Sequence, residues 1–238
     1  MKRHLLDKLL AWKQSDTHLP IILRGARQVG KTHLVTTLGQ EHFEHFVPLN
    51  FELDPELAAC FSSLSPQSII RAIELVINQR IVLGKTLLFL DEVQECPQAL
   101  MALRYFKEQL PELHIIAAGS LLEFTLQAET FRMPVGRVQF FHLGPLTFKE
   151  FLYAKGENAL VEYIESYSWQ TDTLAPVHNK LLDLVREYTV VGGMPAVVAE
   201  YVKEVSWQAA QDQQSILLSI YQNDFGKYGM SPISRTLN

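Results

Sequence analysis

Residues 25–32 read GARQVGKT and follow the apolar run PIILR at 20–24. Two glycines with a Lys-Thr pair behind the second fit the pattern GxxxxGK[ST], which requires a strand before it and a helix after it. Glycine lets the backbone curl until successive N–H groups converge on one anion, a concavity that a Cβ would obstruct. The run THLVTTLGQ then presents a helix N-terminus, with about half a unit of positive charge, to the same anion. Gly25, Ala26, Arg27, Gln28, Val29 and Gly30 are therefore expected to cradle phosphates, with His33 just inside the helix. In such a loop Lys31 reaches the β- and γ-phosphates and the Thr32 hydroxyl ligates Mg2+. Spacing alone gives Arg27 no separate task.

A second pattern supports the first. TLLFLDEVQ is an apolar strand ending in Asp91 and Glu92. In a parallel sheet a strand-end carboxylate lies on the same edge as the phosphate loop, where Asp91 can hold Mg2+ and Glu92 can orient an attacking water. Alone, an acidic pair ending a strand is more often an exposed edge or a helix-capping feature; its partnership with the loop reverses that in favour of the metal. The residues Asp91, Glu92, Val93 and Gln94 lack the glycine of a DxxG motif, and NKLLD at 179–183 carries its aspartate one place too late for NKxD, which argues against guanine specificity.

Short apolar runs at 20–24, 45–51, 86–91, 113–119 and 138–143 alternate with helical patterns at 66–80 and 97–110, each helix with proline near its start. Runs without strict alternation suit strands buried on both faces, and strand and helix in turn predict a doubly wound α/β sheet. The N-terminal residues, with leucines at 5, 6, 9 and 10, fit an amphipathic helix better than a leader, because Asp7, Lys8 and Lys13 interrupt the apolar stretch. After residue 155 the strand signals fade, so a domain 1–155 and a helical domain 156–238 are expected.

The chain has 238 residues, 47% of them hydrophobic, enough for a sizeable core. A net charge of -5 gives no global field for a nucleic acid backbone. Cys60 and Cys96 have no CxxC or Cys/His companion, which points to reduced thiols in a cytoplasmic protein rather than a disulfide or zinc framework. No apolar run approaches the roughly 20 residues that span a bilayer. His42 and His45 lack a third ligand, and Trp12, Trp169 and Trp207 read as core or interface anchors.

LRGARQVGKT, LLFLDEVQ, IIAAGSLLEF, GRVQFFHLGPLTFKEFL and GGMPAVV, in that order, resemble the AAA+ class of P-loop ATPases. The resemblance extends to a bacterial and archaeal group of predicted ATPases that carry an additional C-terminal domain. It implies a P-loop sheet followed by a smaller helical lid, with Mg·ATP bound at their joint. It also implies a sensor role for Ser120 beside the γ-phosphate, a charge-stabilising arginine at Arg137 supplied within the chain or by a neighbouring subunit, and adenine contact by Gly193 and Pro195. A helix ending near Gly192, with proline opening the next, explains the same GGMP residues without adenine. Members of the group usually continue beyond the lid, so the resemblance implies that the additional domain is missing here. The expected activity is ATP hydrolysis that moves the lid or a partner, with a homo-oligomer or protein partner left open. The alternatives are a nucleotide switch with little turnover and a P-loop small-molecule kinase.

Overall fold

The computed structural model describes residues 1–119, 136–168, 170 and 174–228. Five strands form one sheet: β1 (Ile21–Arg24), β2 (His45–Asn50), β3 (Thr86–Asp91), β4 (His114–Ala118) and β5 (Gln139–His142). Each falls within one residue of the run that predicted it. Their order is β2-β3-β4-β1-β5, and every neighbouring pair is parallel. All strand C-termini therefore share one edge, which carries the loop after β1 and the acidic end of β3.

Alternation along the strands sends side chains to both faces. Ile22, Val47, Leu88, Leu90 and Ile115 pack with residues of α3 (Pro66–Ile77) and α4 (Pro97–Gln109), among them Ile73, Leu103 and Phe106. The alternate residues Ile21, Leu23, Leu87, Phe89 and Ile116 are equally buried. The helix α2 (Lys31–His42) packs on β2, β3 and β4, with α1 (His4–Lys13) packed on α2. Burial on both sides explains why β3 reads TLLFL without a polar break. Helix α3 stops short of residue 80 because Asn78 takes a left-handed conformation (φ 53°) that closes it.

The chain divides into two compact units between Gly144 and Pro145, with Met1 and Lys2 counted in the second. The sequence expectation put the boundary at 155. The difference is α5 (Phe148–Ala154), which a Thr147/Glu150 capping box opens. Its Phe151 ring stacks on Tyr201 and meets Tyr188 at a tilt, in a cluster with Leu146, Val191, Val198 and Leu217. The stretch LGPLTFKEFL thus belongs to both units, its first two residues to the sheet and its remainder to the helices. Those helices are α6 (Asn158–Ser166), α7 (Ala175–Val191), α8 (Pro195–Glu204) and α9 (Trp207–Tyr228). Among the described residues no helix is long and apolar enough to cross a membrane. Trp12 is buried, Trp207 is half-exposed against Tyr201, and Trp169 lies outside the described residues.

At the N-terminal edge of the sheet, the His114 ring stacks on His18 at 3.9 Å, with the Trp12 and Phe43 rings edge-on to it. Burial, reinforced by the neighbouring His18, pushes the His114 imidazole down to about 4 from 6.5. An imidazole held neutral in the fold and free to protonate when unfolded contributes stability that is full above pH 6.5 and lost as pH falls towards 4. That loss is expected to reach about 3 kcal/mol. Urea midpoints at pH 7 and pH 4.5 check it: His114→Phe, which keeps the ring stack without the titration, should lose less stability over this interval than the wild type. Equal losses would remove His114 as the cause.

Candidate functional site

The loop between β1 and α2 departs from ordinary backbone at three places. Gly25 has φ 150°, Gln28 φ 64° and Gly30 φ 91°. At Gly25 a Cβ would stand 2.2 Å from the Leu143 carbonyl oxygen, so only glycine lets the loop leave β1 against β5. Between the glycines the Val29 side chain is fully buried and anchors the loop in the core. Ala26 and Gln28 are exposed and Arg27 is half-buried. The residue at the N-cap of α2, Gly30, has no side chain with which to cap it, and no acidic residue lies in the first turn of that helix. Those amides and the helix dipole are left to an anion.

Lys31 is only 7% exposed, and its ammonium donates to the Gly25 and Ala26 carbonyl oxygens at 2.8 and 3.0 Å. Burial pulls it below the usual lysine range, against the opposing attraction of Glu92 and Asp91. Thr32, next in the helix, donates its hydroxyl proton to Asp91 Oδ2 at 2.9 Å. His33 faces solvent, and its carbonyl accepts from the Thr37 hydroxyl.

Asp91 ends β3 at 4% exposure. Besides Thr32, it accepts from Asn50 Nδ2 at 3.5 Å and, through Oδ1, from the Glu92 amide at 3.1 Å. Burial raises its carboxyl above the ordinary aspartate value; the Thr32 hydrogen bond opposes this. Glu92 turns the chain out of the strand in a left-handed conformation (φ 47°), a strained choice for a residue with a side chain. Its Oε2 accepts from Gln94 Nε2 at 2.7 Å. One carboxylate, one hydroxyl and a neighbouring ammonium form a set that fits Mg2+ held jointly with a polyphosphate, since that ion uses few protein ligands and keeps several waters.

Lys31, Thr32, Asp91 and Glu92 thus come together with the loop. Ser120 lies outside the described residues. Arg137 does not join them: it precedes β5, whose first residue Gln139 pairs with Ile21 at the start of β1. It therefore sits at the opposite end of the sheet, roughly 13 Å or more of strand away from the loop. There its Nε donates to Glu108 Oε1 at 3.2 Å. This corrects the expectation that Arg137 could serve the site within its own chain.

Gly193 and Pro195 belong to the helical unit. Gly192 closes α7 with φ 73° and Pro195 opens α8. A Cβ on Gly193 would meet the Leu146 carbonyl at 2.2 Å, so that glycine serves a backbone approach within its own unit. Three further residues went unassigned in the sequence. Asn50 ends β2 in register with Asp91, a polar residue closing an apolar strand just as Asp91 does. Gln94 stands two places after Glu92. Arg3, 6% exposed, donates to the Val29 carbonyl, and no local pattern announces it.

A sequence profile described as an AAA domain matches residues 17–152. No curated protein matches the chain. Among solved structures, the Walker-type ATPase PABY2304 of Pyrococcus abyssi overlays with a TM-score of 0.56 at 16% identity, over 95% of this chain and 75% of that one. PCH-2 of C. elegans overlays with a TM-score of 0.46 at 15% identity, over 96% of this chain and 62% of that one. The ORC2 protein of Aeropyrum pernix, solved as ADPNP-ADP complexes, gives a TM-score of 0.42 at 16% identity, over 66% of this chain and 49% of that one. The first of these overlays carries the fold, and the profile spans more than half of the 238 residues. The chain belongs to the AAA domain family and has the P-loop ATPase fold of the AAA+ class.

Proposed function

We propose that the protein binds Mg·ATP and hydrolyses it to ADP and phosphate. The observation that carries this reading is the Thr32 hydroxyl bonded to Asp91 at 2.9 Å, beside a buried Lys31 inside the loop. Lys31 neutralises the β- and γ-phosphate oxygens. Thr32 and Asp91 hold Mg2+, which when bound draws charge off those oxygens. Glu92, one residue past the metal carboxylate, orients the attacking water and takes its proton. Ser120 follows the end of β4 and contacts the γ-phosphate, while Arg137 acts on a neighbouring copy, in keeping with its place far from its own loop. Adenine contact is assigned to Gly193 and Pro195 and the role of lid to the helical residues, and the work is done in the cytoplasm.

A second reading, a switch with little turnover, is favoured by one contact. The Glu92 carboxylate already accepts a hydrogen bond from Gln94, which occupies Oε2, one of the two oxygens that would otherwise be open to a water.

Four variants test these readings. Lys31→Ala should abolish MgADP uptake in calorimetry, whereas Glu92→Gln should bind normally and lose about 100-fold or more in turnover; full turnover in Glu92→Gln removes its role. Gln94→Ala should raise turnover if the Gln94 contact restrains Glu92; unchanged or lower turnover argues against the restrained switch. For Asp91 the sign follows from its raised pKa: the ionised form is disfavoured in the fold, so stability falls as pH rises from 3.8 through the raised value and stays at that lower level above it. At pH 7 Asp91→Asn should therefore raise the Tm of the ligand-free protein while removing the further rise that MgADP gives. A lower ligand-free Tm would show that its hydrogen bonds outweigh its desolvation.

A further inference from the structure

The phosphate loop is held from behind by a residue far from it in sequence. The guanidinium of Arg3, itself buried, donates through Nη1 to the Val29 carbonyl at 2.8 Å and through Nη2 to the Gly144 carbonyl at 2.5 Å. Val29 is the last residue before Gly30, and the peptide joining them is trans. In a trans peptide the C=O and the following N–H point in opposite directions. A guanidinium that fixes the Val29 oxygen therefore fixes the Gly30 N–H, aiming it away from Arg3. That peptide is also the easiest in the loop to turn, because Gly30 has no Cβ to restrict it and already sits at φ 91°.

The second contact reaches the other end of the loop. Leu143, the neighbour of Gly144, donates its amide to the Arg24 carbonyl at 2.8 Å, and its own carbonyl occupies the space that a Cβ on Gly25 would need. One planar fork thus spans the exit of the loop at Val29 and the strand against which its entry is packed. A lysine has the charge but not two diverging donors in a fixed plane.

We propose that Arg3 is a positioning residue for the phosphate loop, holding the Val29–Gly30 peptide so that the Gly30 N–H faces a bound phosphate. This rests on the nucleotide-binding reading above. The guanidinium also polarises the peptide it holds, making that N–H a stronger donor, and adds positive charge behind the cradle.

The test titrates the full chain with MgADP by calorimetry, at a temperature where circular dichroism finds wild type and variants folded. Arg3→Ala is expected to weaken MgADP about tenfold or more, and Arg3→Lys to weaken it less. A folded Arg3→Ala with affinity within about twofold of wild type overturns the proposal, even if its Tm has dropped, because a purely structural contact would behave that way. If Arg3→Ala does not fold, Arg3→Lys and Arg3→Gln decide: both matching wild type overturns it, and Arg3→Gln weaker than Arg3→Lys supports it. A measurement without nucleotide separates this proposal from the reading beneath it. The Gly30 amide resonance should be sharp in wild type and exchange-broadened or displaced in the Arg3 variants. An unchanged resonance overturns the role of Arg3. A wild type that takes up no MgADP overturns the nucleotide reading and leaves the Gly30 resonance to decide on Arg3.

Discussion

The hydrogen bond from Thr32 to Asp91 joins the start of a helix to the end of a strand that lies two places from the strand feeding that helix. It can form only because every strand of the sheet runs the same way, which brings both ends to one edge. Around it sit an ammonium and a carboxylate at 7% and 4% exposure, each pushed by burial towards its neutral form. Neither is comfortable without charges to answer it. On the proposed reading a polyphosphate and a divalent cation would supply those charges from outside, and a pair of ions disfavoured by burial fits a binding site. The apolar sheet, the buried Val29 and the glycine at 25 are the means by which the loop stays in that arrangement.

Much of this was legible because it is local. A P-loop pattern states its own flanks, and β1, β3 and β4 are apolar runs buried on both faces that need no partner to be recognised, whereas β2 is only partly buried and β5 is largely exposed, so these two were legible from their apolar content and not from burial. The cluster of Lys31, Thr32, Asp91 and Glu92 likewise followed from short windows. What escaped depends on residues far apart in the chain. Arg3 reaches Val29 across 26 positions and Gly144 across 141. Gln94 meets Glu92 across the turn in which Glu92 takes a left-handed backbone. The boundary at Gly144 was hidden because α5 follows β5 closely in sequence while its apolar face is matched to Tyr188 and Tyr201.

Arg137 is a different case, since its place could have been read. A residue ahead of a parallel strand belongs to the N-terminal edge of the sheet, and ligands gather at the other edge. Family resemblance supplied the role, and strand direction sets the limit on it. Gly193 is similar: the pattern VGGMP suggested room for a ligand, and the close neighbour of that glycine is the Leu146 backbone, to which Tyr188 also donates.

The left-handed backbone at Glu92 has an evolutionary reading. A glycine would sit there more easily, just as neutral side chains would sit more easily at 31 and 91. Any lineage, natural or in the laboratory, that is selected for heat resistance without a demand for chemistry should drift first at these positions. The C-terminal edge of the sheet thus holds together three residues that durability alone would not favour.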